Sequence, residues 1–139
     1  MGSVRIDHIG IAVHTLEGAV EFYKNVLGLN QIETEILEDR KLKVAMIPMG
    51  ESRIELLEPM KGEETVSVFL KKRGEGIHHI AFLVTDLDGL LKRVVESGIR
   101  VIGKPSIGVG GKRIAFLHPK DVNGVLVELV EESKAVEEG

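Results

Sequence analysis

The chain turns on Gly76-Ile77-His78-His79-Ile80-Ala81-Phe82-Leu83-Val84. Near its start it carries almost the same phrase, Ile6-Asp7-His8-Ile9-Gly10-Ile11-Ala12-Val13. Each is a short apolar run rich in Ile, Val or Phe and bounded by turn residues, the pattern of a buried strand. A single histidine at the head of such a strand reads as a satisfied core residue. Two histidines at matching positions of a repeat read differently. A duplication would set His8 and His79 near a pseudo-twofold axis, facing one another.

The residues around each copy repeat as well. After a strand over 4–13, Thr15 suits an N-cap and Glu17 the first helical turn. Leu16, Ala19, Val20, Phe22, Tyr23, Val26 and Leu27 follow at helical spacing, and Gly28 supplies the stop. Strands are predicted over 31–37, 42–49 and 53–58, separated by Glu38-Asp39-Arg40-Lys41 and by Gly50-Glu51-Ser52. A connector over 62–74 holds a short helix over 65–72, with Val66, Phe69 and Leu70 as its apolar stripe. The second unit opens with the strand over 77–84. Asp86 caps a helix carrying Leu87, Leu90, Leu91, Val94 and Val95, ended by Gly98. Strands are then predicted over 99–102, 112–117 and 124–131, with a polar, frayed tail over 133–139. Gly108-Val109-Gly110-Gly111 is a turn between strands rather than a phosphate-binding loop, because no helix follows it. The expectation is an α+β chain of two tandem βαβββ modules, residues 4–61 and 75–132 joined by 62–74, forming a single domain over 1–139.

Composition narrows the chemistry. At 139 residues, 43% hydrophobic and 29% charged, the chain has the make-up of one globular domain with a proper core. It has no cysteine, which excludes disulfides and thiolate chemistry and leaves His and carboxylates as the metal ligands. A net charge of −4 disfavours a nucleic-acid partner. No apolar run approaches a membrane span, and no basic segment leads into an apolar signal region, so a cytoplasmic protein is expected.

The repeat also matches at its far ends. Ile54-Glu55-Leu56 corresponds to Val127-Glu128-Leu129, a carboxylate between aliphatics in the last strand of each unit. By strand alternation Glu55 shares a face with Arg53 and Leu57, and Glu128 with Leu126 and Val130. A carboxylate facing an apolar interior is costly unless something neutralises it. Solvent or a nearby Lys or Arg is one answer. A divalent cation held by two histidines and two carboxylates answers for both units at once.

This pattern resembles the vicinal oxygen chelate superfamily over nearly the whole chain, and most closely its methylmalonyl-CoA epimerase family. The resemblance is carried by the two His8 and His79 phrases, by Ile54-Glu55-Leu56-Leu57-Glu58-Pro59, and above all by Phe116-Leu117-His118-Pro119-Lys120-Asp121 leading into Gly124-Val125-Leu126-Val127-Glu128-Leu129. It implies a cupped mixed β-sheet with helices outside, holding one divalent metal per chain. Co²⁺ is the foremost choice, with Mn²⁺, Zn²⁺ or Ni²⁺ as alternatives. The ligands it implies are His8, Glu55, His79 and Glu128; the family often has Gln where this chain has Glu55.

The implied reaction interconverts (R)- and (S)-methylmalonyl-CoA by removing and returning the C2 proton through a metal-stabilised enolate. Glu128 is the implied base. Family members place a glutamate a few residues ahead of a Val-Ala pair; counting back from Val44-Ala45 reaches Asp39, beside Glu38, as the second proton carrier. Lys112, Arg113, His118 and Lys120 are the expected contacts to an acyl-CoA substrate, alongside Lys104; a solvated sheet edge is the plainer account of the basic residues. A homodimer is implied by the resemblance alone. His14 is expected exposed at a turn, and His78 on the face opposite His79 with a structural role. Two rivals are a glyoxalase-like lyase or iron dioxygenase of the same fold, disfavoured by the His-Pro-Lys segment, and a metal-free binding module, disfavoured by four candidate ligands.

Overall fold

A computed structural model describes residues 3–132, so the tail predicted over 133–139 lies outside the described residues. Eight strands and three α-helices occur among them. Contacts gather the chain into two compact units, residues 8–78, and residues 79–132 with 3–7.

The first module runs β1 (Val4–Ala12), α1 (Leu16–Glu21), β2 (Glu33–Leu37), β3 (Leu42–Met49) and β4 (Ser52–Pro59). Its strands lie in the order β2-β3-β4-β1. The β3–β4 and β2–β3 pairs are antiparallel hairpins, whereas β4 runs parallel to β1. One face of this sheet buries Ala45, Ile47 and Leu56 with Leu16, against which Ala19, Val20 and Tyr23 also pack. The other face, at the Ala12, Val44 and Leu57 end, is covered by α2 (Val66–Arg73) through Val66 and Leu70.

The first helix differs from its prediction. It stays α-helical only to Glu21, then widens into a π turn over Phe22–Val26 in which the Leu27 N–H donates to the Phe22 carbonyl, before Gly28 ends it at φ 73°. A π turn holds an extra residue, so the downstream side chains rotate off the α-helical stripe. Phe22, Val26 and Leu27, expected to pack, are instead exposed.

The second module runs β5 (Gly76–Val84), α3 (Leu87–Glu96), β6 (Val101–Ile107), β7 (Arg113–Leu117) and β8 (Leu126–Glu131). The order is β5-β8-β7-β6, with β8 parallel to β5 and the other pairs antiparallel. Leu87 and Val94 of α3 pack on Val84, Ala115, Leu117 and Leu129. The edge strand β6 runs five residues past its predicted end at Ile102. Gly-Lys-Pro reads as a breaker, but the register shifts between Ile102 and Ser106, where Gly103 adopts φ 67°, and pairing resumes beyond. At the other end β8 begins at Leu126 rather than Gly124, because Asn123 and Gly124 both take positive φ in the preceding turn. The α+β class and the two βαβββ modules agree with the sequence reading.

Candidate active site

In each module the parallel pair of strands brings an imidazole to a carboxylate. Strand β1 sets Gly10 opposite Glu55, and β5 sets Ala81 opposite Glu128. The histidines stand two residues earlier on the same faces, and the small side chains at Gly10 and Ala81 leave room for a carboxylate beside an imidazole. His8 Nδ1 lies 3.5 Å from Glu55 Oε2, and His79 Nε2 lies 3.5 Å from Glu128 Oε1. His8, His79 and Glu128 are buried, and Glu55 is half-buried. The spacing is long for a charge-assisted hydrogen bond. It matches two atoms each about 2.1 Å from one shared ion, which stand about 3.4 Å apart at a tetrahedral angle. The donor chemistry of both pairs therefore fits a divalent cation without thiolate ligands.

A second glutamate stands three residues beyond the first on each last strand, and alternation sends it to the opposite face. Glu58 Oε1 accepts from the Leu16 N–H at 2.7 Å, and Glu131 Oε2 from the Leu87 N–H at 3.0 Å. These carboxylates cap α1 and α3. Thr15 occupies the N-cap position but makes no side-chain cap bond, which corrects the sequence reading; Asp86 does cap α3, accepting from the Gly89 N–H at 3.0 Å. The alternating spacing of the two glutamates was a signal that sequence reasoning passed over.

Arg53 is a second residue it missed. Arg53 Nε and Nη2 both lie 2.7 Å from Glu55 Oε2, and Nη2 lies 3.3 Å from His8 Nδ1. Its register partner is His8 itself. That Arg53 and Glu55 share a face was legible; that the guanidinium joins both members of the pair was not.

The other predicted residues fall into three groups. Asp39 and Glu38 are exposed in a short 3-10 turn, Glu38–Arg40, between β2 and β3. The turn closes through Lys41 at φ 56° and is tied to the end of β4, where the Met60 N–H donates to the Lys41 carbonyl at 2.8 Å. His118 heads a turn over Pro119–Asp121, its Nδ1 accepting from the Lys120 N–H at 3.2 Å. That turn is anchored by Arg100, whose side chain and backbone N–H hold the Asp121 carboxyl down at about 2. Lys112 closes the β6–β7 hairpin, its carbonyl accepting from the Gly108 N–H at 2.7 Å. Arg113 is paired with Asp88 at 2.7 Å and Glu131 at 3.4 Å, and these bonds raise its pKa further. Lys104 is exposed on β6.

His14 is exposed, with its backbone N–H donating to Glu75 at 2.9 Å. His78 packs edge-on against Phe69 at 5.2 Å; burial lowers its pKa, against an opposing pull from Glu63.

Residues 7–116 match the model of the glyoxalase/bleomycin resistance protein/dioxygenase superfamily. An uncharacterised Bacillus subtilis protein is 44% identical over 91% of this chain and 91% of its own length. The ethylmalonyl-CoA/methylmalonyl-CoA epimerase of Cereibacter sphaeroides is 41% identical over 90% of this chain and 96% of its own. Among solved structures, a methylmalonyl-CoA epimerase in complex with methylmalonyl-CoA and NH₄⁺ superimposes with a TM-score of 0.82 at 43% identity, covering 94% of this chain and 95% of that one. The chain belongs to the glyoxalase/bleomycin resistance/dioxygenase superfamily and, within it, to the methylmalonyl-CoA epimerases. Both levels agree with the resemblance carried by the sequence.

Proposed function

We propose that the protein is a single-domain, metal-dependent epimerase that interconverts (R)- and (S)-methylmalonyl-CoA and binds one divalent ion per chain. The observation that carries this reading is the duplicated pair: each module independently sets an imidazole nitrogen and a carboxylate oxygen 3.5 Å apart on a buried or half-buried face. His8, Glu55, His79 and Glu128 are the ligands. Co²⁺ is the first candidate, then Mn²⁺, Zn²⁺ or Ni²⁺. A bound cation supplies positive charge that favours the enolate over the thioester.

The chain's own residues do the rest. Glu128, a buried carboxylate, takes the C2 proton on one face. Asp39 holds the proton for the other face, on a turn that the Met60–Lys41 hydrogen bond fixes against the end of β4. Lys112, His118 and Lys120 contact the CoA moiety; Arg113 joins them while keeping Asp88 and Glu131 as partners. The protein acts as a cytoplasmic homodimer on an acyl-CoA. No helix among the described residues is long and apolar enough to cross a membrane. The name of the Cereibacter sphaeroides relative favours a second reading, in which the ethyl homologue is also a substrate. Turnover of racemic methylmalonyl-CoA, with and without chelator, tests the proposal. Activity lost to the chelator and restored by Co²⁺ is expected; turnover that a chelator leaves untouched overturns it.

A further inference from the structure

We infer that Arg53 is a resident cation that competes with the divalent ion in the first module and sets how tightly that ion is held. The inference rests on the reading of His8, Glu55, His79 and Glu128 as ligands. The Arg53 guanidinium binds Glu55 Oε2 through two nitrogens at 2.7 Å and reaches His8 Nδ1 at 3.3 Å. It thereby joins the same imidazole and carboxylate that an ion would join. A guanidinium stays protonated at every physiological pH, so a second cation reaching Glu55 Oε2 must displace it or share that oxygen with it.

The second module differs at this position. The register that sets Arg53 against His8 sets Leu126 against His79. Leu126 carries no charge, yet His79 and Glu128 reach the same 3.5 Å spacing. In the first module the arginine offsets the negative charge of Glu55. Its side chain is 34% exposed, which gives it a path outward when an ion arrives.

The test is a titration of the metal-free full chain with Co²⁺ alone, in competition with a chromogenic chelator. It compares wild type, Arg53→Leu, Glu55→Gln and the double variant, each checked for cooperative unfolding. Arg53→Leu is expected to bind Co²⁺ at least about tenfold more tightly, the scale at which outer partners act on a metal. In the Glu55→Gln background the same substitution is expected to change affinity less than about threefold, because the competed-for carboxylate is gone. Arg53→Met carries the same expectation and serves if the branched side chain unfolds the strand. Equal or weaker binding by the arginine variants, where wild type binds, overturns the inference; so does an undiminished gain in the Glu55→Gln background. Wild type binding no Co²⁺ overturns the ligand reading beneath it.

Discussion

A histidine at the head of a strand is ordinary; a carboxylate 3.5 Å from it on the neighbouring strand, twice in one chain, is not. His79→Ala is expected to abolish stoichiometric Co²⁺ binding, as read by metal analysis after dialysis. His78→Ala, which loses an edge contact to Phe69 on the other face, should keep it. Asp39→Asn is expected to slow epimerisation by about a hundredfold or more while metal content stays at wild-type level, and Glu38→Gln should be milder. Asp121 gives a pH test of the His118 turn. Its carboxyl sits at about 2 rather than 3.8, so the bond to Arg100 stabilises the turn above about pH 4 and is lost as pH falls towards 2. Carboxyl chemical shifts should show that low midpoint, and Arg100→Met should return it to the ordinary range. At this scale the sequence was legible wherever it repeats itself: His8 with His79, and Glu55 with Glu128. Arg53 escaped because its counterpart is Leu126, so no repetition marked it.

Two helices here, α1 and α3, draw N-terminal capping from partners far along the chain. The N-terminus of α1 is capped by a glutamate 42 residues away and that of α3 by one 44 residues away. Local capping rules therefore locate both N-cap positions, Thr15 and Asp86, but only Asp86 supplies a side-chain bond there. Glu58→Ala is expected to destabilise the fold by about 1–2 kcal/mol in urea unfolding, the range for a lost cap. Thr15→Ala should stay within about 0.5 kcal/mol. Reversed magnitudes would show that the threonine caps after all. The π turn over Phe22–Val26 was hidden for a related reason: apolar residues at helical spacing do not reveal where a turn takes up an extra residue. The long β6 was hidden because Gly103 and Pro105 read as punctuation, while the strand absorbs them at a shift in register.

On the scale of the whole molecule, two βαβββ modules present one imidazole–carboxylate pair each, and the family to which the chain belongs contains epimerases of malonyl-type thioesters. The most direct test of metal-assisted epimerisation is proton exchange at the reacting carbon. (R)- or (S)-methylmalonyl-CoA incubated in heavy water with Co²⁺-loaded protein should take up deuterium at C2 while its configuration scrambles, and Glu128→Gln should suppress both. No exchange at C2 above the uncatalysed rate, with wild-type protein carrying its full complement of metal, would contradict the account.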